Sequence, residues 1–131
     1  MILPIFLVLV FAIVDFGMGL NAWITVTNSA REGARLGAVG APGAGAASCS
    51  PLPGAGTIQR RVCDTADTLT PSKMTVTPTN AQGTPGSSVK VKVDYQYNFI
   101  SPLSSLVSFV CPVCNVGPTL NISSTADMRL E

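Results

Sequence analysis

Met1 to Val39, MILPIFLVLVFAIVDFGMGLNAWITVTNSAREGARLGAV, constrains this chain more than any other stretch. Thirteen apolar residues run from Ile2 to Val14, Pro4 among them. Asp15 interrupts, FGMGLNAWITV resumes the run, and a helix-compatible turn rich in Ala, Gly and Arg ends it. As one continuous helix the segment would measure about 58 Å, at ~1.5 Å per residue. The other 92 residues cannot bury both halves of such a rod. Its first half therefore needs a bilayer, or copies of itself, as its apolar surroundings.

Ile2 to Val14 alone falls short of the ~20 residues that cross a bilayer. Continued through Asp15 to Val26 the run is long enough, and it sets Trp23 at an interface depth. A secretory signal fits poorly, because no Lys or Arg precedes Arg31 and Asp15 follows the apolar run directly. A carboxylate in hydrocarbon is costly and is tolerated when protonated or paired with a cation. Asp15 is thus a candidate functional residue; the plainer alternative is that it marks the membrane surface. On the distal half Ala30, Ala34 and Ala38 repeat every four residues, as do Ser29, Gly33 and Gly37. Small residues in such rows let helix backbones approach closely. The expectation is that Asp15, Ala30, Gly33, Ala34, Gly37 and Ala38 pack against identical subunits; the alternative is a single-pass anchor with a Gly-weakened stalk.

Composition excludes several functions. Lys and Arg total eight against seven carboxylates, with 11% of residues charged, which is too little basic density for a nucleic-acid partner. There is no His, so imidazole acid–base chemistry and His metal ligation are closed. Ser and Thr are plentiful, but no base is placed to activate one. No enzyme and no cofactor are expected.

The remainder, residues 40–131, reads as one small head. Gly40 to Gly56 is a loop by its Gly and Pro content. Thr57 can cap a short helix, TIQRRVCDTADTL, with Ile58, Val62, Ala66 and Leu69 on one face and Arg60 and Arg61 as solvated charge elsewhere. Met74 to Pro78 alternates as a strand, and Asn80 to Ser87 is a turn. Val89, Val91, Val93, Tyr95, Tyr97 and Phe99 then line one face of a long strand. Ile100 to Val110 is an apolar crossover compatible with a short helix, and Pro118 to Glu131 is a last strand bulged around Ser124. Asn121-Ile122-Ser123 matches the glycosylation acceptor pattern, weakly, since it falls on that strand. Three strands joined by irregular loops make this an α+β chain, with a long N-terminal hydrophobic helix over residues 1–39 and a small antiparallel sheet laid on its end.

Cys49, Cys63, Cys111 and Cys114 allow three disulfide connectivities outside the cytoplasm. Pairing Cys49 with Cys63 and Cys111 with Cys114 closes local loops around Pro-rich sequence. Zinc and thioredoxin-like redox chemistry compete for CPVC, although Cys49 and Cys63 do not form a second CxxC and the strand-to-helix context is weak. Arg31 and Arg35, on the C-terminal side of the apolar run, argue by the positive-inside rule for a cytoplasmic head. The cysteines argue for the opposite side, and a basic segment upstream would reconcile the two.

Leu3-Pro4, Asp15-Phe16-Gly17 and the run Asn28-Ser29-Ala30-Arg31-Glu32-Gly33-Ala34-Arg35 resemble the TadE-like family of pilin-like and pseudopilin proteins from tight-adherence (type IVc) pilus systems. Ala126-Asp127-Met128-Arg129-Leu130-Glu131 is similar to that family's closing Met-Arg segment. The basic leader, the Gly before a cleavage site and the early Glu of type IV prepilins are not among these residues. The resemblance implies a type IV pilin-like subunit, held in the inner membrane before assembly and handled by an inner-membrane assembly machinery. It would then polymerise with identical subunits into an extracellular filament. In such a bundle a neighbour's N-terminal amine, about 21 Å along the axis, or its Arg31 or Arg35, about 24 to 30 Å away, could neutralise Asp15. The plainer alternative is that Arg31, Glu32 and Arg35 make only local helix pairs. The alternatives for the whole chain are a minor pseudopilin and a membrane-tethered adhesin head that never polymerises.

Overall fold

The computed structural model describes residues 2–99 and 119–131. Helix α1 runs unbroken over Ile2–Ala38, straight through Gly17 and Gly19. Its C-terminus is closed by Gly40, whose φ of +84° suits a residue without a Cβ. The Gly40 amide donates to the Gly37 carbonyl at 3.0 Å and the Ala41 amide to Leu36 at 3.3 Å, the paired bonds of a Schellman cap.

The loop that follows is less irregular than its composition suggests. Ala47–Ser48 forms a short strand, β1, paired with β2 (Met74–Thr79). Helix α2 spans Ile58–Thr65, capped by Thr57, whose side chain accepts from the Arg60 amide at 3.2 Å. It is shorter than the expected helix, yet Ile58, Val62, Ala66 and Leu69 are all buried as their spacing requires. Long strands β3 (Ser88–Asn98) and β4 (Thr119–Arg129) complete a four-stranded antiparallel sheet in the order β1-β2-β3-β4. The expected crossover at Ile100 to Val110 lies outside the described residues.

The bulge expected near Ser124 is absent. The β3–β4 register is continuous from Ser88 opposite Arg129 to Asn98 opposite Thr119, and Ser124 sits across from Val93. Ile122, Ser124, Ala126 and Met128 keep a strict two-residue alternation toward the core.

Two helices cover one face of this sheet: α1 lies on β3 and β4, and α2 packs against α1 and β2. The core includes Val76, Val89, Val91, Val93 and Ile122 from the sheet, Ile58 and Val62 from α2, and Ala22, Val26, Ala30 and Ala34 from α1. It therefore crosses the boundary between the long helix and the head at residue 39.

Glycines set how closely α1 approaches. A Cβ on Gly33 would clash with Val62 Cγ2 and crowd Val91 Cγ1 at 3.3 Å. One on Gly37 would meet Ile58 Cδ1 and Val89 Cγ2, both at 3.0 Å. Gly33→Leu should therefore lower stability by about 3 kcal/mol through overpacking. Gly17→Ala, where an added methyl meets nothing within 4 Å, should be tolerated. Thermal unfolding of the detergent-solubilised full chain would separate the two.

Candidate functional site: the free helix end and its junction with the head

The head covers only the distal part of α1. Gly37 lies against Val89, Gly33 against Val91, and Gly19 against the ring of Tyr97, so β3 runs antiparallel to the helix. From Gly19 to Gly37 the helix rises ~27 Å, and from Val89 to Tyr97 the strand advances ~27 Å. The matched lengths mean that β3 lies along the helix until it ends at the level of Asp15 to Gly19. Below that level none of the described strands reaches the helix. Ile2, Leu3, Phe6, Leu7, Leu9, Phe11, Ile13 and Val14 are all exposed. In length and composition α1 is able to cross a membrane, over Phe6–Ala38.

Asp15 marks the junction. It is 2% exposed, and the Tyr97 hydroxyl donates to its backbone carbonyl across a long 3.4 Å. Burial first, then the nearby Asp15 carboxylate, pushes the Tyr97 hydroxyl above its usual pKa, so it remains a neutral donor. Tyr97 in turn meets Phe99 edge-on, with ring centroids 5.8 Å apart. The role of Tyr97 was not legible beforehand: its position on the apolar face of a strand marks it as core, and only the helix–strand register brings it to Asp15.

The small-residue ladder, expected to meet neighbouring subunits, is filled by the chain's own head. Ala30 and Ala34 have no exposed surface, Gly33 and Gly37 are buried against β3 and α2, and Ala38 is partly buried at the rim of the core. Close approach is what small residues permit, and here the sheet of the same chain takes it. Arg31 is exposed. Arg35 pairs with Glu32 at 2.8 Å, and Glu32 also holds Arg61 of α2 at 2.7 Å. Arg60, expected to be solvated, pairs with Asp64 at 2.9 Å. Each pair is partly exposed and screened by solvent, so none anchors the fold.

Cys49 and Cys63 form a disulfide across a separation of 14 residues, with Cα atoms 5.6 Å apart, which removes both from any zinc or redox reading. The bridge ties the Gly-rich loop to α2, and the buried Gln59 supports it by donating to the Ala44 carbonyl at 3.2 Å. Cys111 and Cys114 lie outside the described residues. Asn121, of the glycosylation pattern, is exposed on β4.

A long apolar helix, partly docked under an antiparallel-sheet head and able by length and composition to cross a membrane, fits membrane anchoring. The family model described as TadE-like protein matches residues 1–35, so the likeness lies in the N-terminal helix. No curated protein and no solved structure matches the chain.

Replacing both Cys49 and Cys63 by Ser should destabilise the head by about 3 kcal/mol, the loop-closure contribution of a bridge of this span. Urea unfolding of the variant and the parent under oxidising conditions would read the difference.

Proposed function

We propose that this chain is a structural, non-enzymatic subunit that polymerises through its N-terminal helix into an extracellular type IV (Tad-like) pilus filament. The observation that carries the reading is the free end of α1. Its described side chains from Ile2 to Val14 are apolar and most are exposed, which a water-soluble monomer could not sustain. A bilayer satisfies that surface before assembly, and helices of identical subunits satisfy it afterwards. The TadE-like match falls on this same segment. An inner-membrane assembly machinery is the partner that would move the subunit from one state to the other.

The Cys49–Cys63 bridge favours a head outside the cytoplasm, because such bonds persist in oxidising compartments. It outweighs the opposing hint from Arg31 and Arg35. In the filament the packing surface is the free end together with the outward face of α1, since the head occupies the other face. Asp15 keeps a place in this reading: a neighbour's amine would reach it only by entering beside Tyr97, at an axial stagger of about 21 Å for an N-terminal amine. The second reading, a minor pseudopilin or a tethered adhesin head, shares the anchor and differs in not polymerising.

Electron microscopy of material sheared from the cell surface, with peptide mass spectrometry on the same fraction, tests the proposal. Filaments in which this chain dominates are the expected result. Retention of the chain in the membrane fraction, with filaments that lack it, would give the second reading instead.

A further inference from the structure

The two helices cover one face of the sheet, and the chain's charge is concentrated on the other. Its outward positions, from Thr75 to Thr79, Lys90 to Gln96 and Asn121 to Arg129, hold only Thr, Ser, Asn, Gln and charged residues. All three lysines of the chain stand on this face or at its border. Lys90 and Lys92 are successive outward positions of β3, with side chains 58% and 52% exposed. Arg129 stands on β4 opposite Ser88, and Lys73 lines a cleft at the border with Thr75, Asp94 and Gln96. Against these four cations the face has two carboxylates, Asp94 and Asp127. The other four arginines stand elsewhere with five carboxylates, of which Glu131 leaves the sheet, its amide donating to the Ala38 carbonyl at 3.3 Å. Residues 100–118 contain no charged side chain. The sheet face thus carries a net +2 on a chain whose formal total is +1.

The cations are set among hydroxyls. Thr77 and Thr125 flank Lys92 from the neighbouring strands, and Thr79 and Asp127 flank Lys90. Strands ~4.8 Å apart bring those hydroxyls within reach of whatever meets the ammonium groups. Among the described residues none of the Thr77, Thr79 and Thr125 hydroxyls takes a protein partner, whereas Thr25 and Thr27 donate to α1 carbonyls at 2.9 Å. Lys92 pairs with Asp94 at 3.0 Å and Lys90 with Asp127 at 3.7 Å; both pairs are half exposed and screened, so a ligand's anions can replace them. Lys73 and Arg129 form no ion pair among the described residues. Lys92, Lys90 and Arg129 follow one another at intervals of roughly 7 to 8 Å. They occupy the half of the sheet away from Asn98 and Thr119.

The side chains that this face lacks narrow its partner. Protein partners anchor on aromatic and other large side chains, and single-stranded nucleic acid stacks its bases on aromatics; the described face presents no such anchor. A line of cations among hydroxyls and amides suits a linear, hydroxylated polyanion. We propose that the outer face of the sheet, centred on Lys90, Lys92 and Arg129, docks an acidic polysaccharide. Ring carboxylates meet the cations, and ring hydroxyls meet Thr77, Thr79 and Thr125. Docking does not require polymerisation; in a filament the patch would recur with every subunit, and weak binding would become avid.

The full chain in micelles of an uncharged detergent would be passed over immobilised polygalacturonate, with dextran as the neutral control. The expected result is retention on polygalacturonate alone, abolished in about 1 M salt, where charges are screened within ~3 Å. Lys90→Gln combined with Lys92→Gln should weaken binding about tenfold. Lys90→Arg with Lys92→Arg, which keeps the charge, should leave it within about twofold, and so should Arg31→Gln with Arg60→Gln, which removes equal charge elsewhere. All these side chains are at least partly exposed, and thermal unfolding checks that each variant keeps its fold. Equal retention on dextran, no retention, or equal loss in the lysine and arginine pairs overturns the docking surface. Tighter capture by immobilised oligothymidylate at equal charge overturns the polysaccharide in favour of nucleic acid. The measurement is made on unassembled chains, so filaments built from chains that fail it leave the subunit reading intact. Chains that bind but never polymerise overturn that reading and leave the docking surface standing.

Discussion

The structure depends on how closely α1 can lie on its own sheet. Gly33 and Gly37 remove two Cβ atoms at the points where Val62, Val89, Val91 and Ile58 press against the helix. With those contacts made, β3 and α1 run alongside each other over ~27 Å, and the match of helical rise to strand advance fixes where the sheet ends. It ends at Asp15. The division of the long helix into a free apolar end and a docked half follows from that register, and so does the burial of a carboxylate at the boundary.

The docked half illustrates how one sequence feature can serve either of two partners. A ladder of Ala and Gly allows close approach without specifying what approaches. In the folded chain the head occupies it, and β3 valines, Ile58 and Val62 fill the space that a neighbouring helix would otherwise take. In the proposed filament, contact with other subunits would fall to the free end and to the face carrying Phe16, Leu20, Trp23 and Ile24, where side chains are large and exposed.

Much of this was legible in the sequence because the periodicities are strong. The unbroken apolar run gives α1, the two-residue alternation from Val89 to Phe99 gives β3, and Thr57 with the Ile58–Val62–Ala66–Leu69 row gives α2 and its buried side. The Cys49–Cys63 pairing follows from the local loop that it closes. Other features were hidden for physical reasons. β1 is two residues in a Gly- and Pro-rich loop and exists only because the edge of β2 is there to pair with it. The pairing of Arg61 with Glu32 and the meeting of Tyr97 with Asp15 bridge residues far apart in the chain; the first depends on how α2 packs on α1, the second on the helix–sheet register. The partner of the small-residue ladder is decided by geometry that composition does not encode.

Isotope-mixed nuclear Overhauser spectroscopy of the micelle-bound full chain tests the central claim most directly. The contacts to follow are those between the Gly33 and Gly37 α-protons and the methyls of Val62, Val89 and Val91. They should persist, undiminished per labelled chain, when a labelled chain is diluted into a large excess of unlabelled chains, because both partners belong to one molecule. Their disappearance on dilution, or their appearance only between differently labelled chains, would show that the glycine face belongs to a neighbour and that the head does not ride on its own helix.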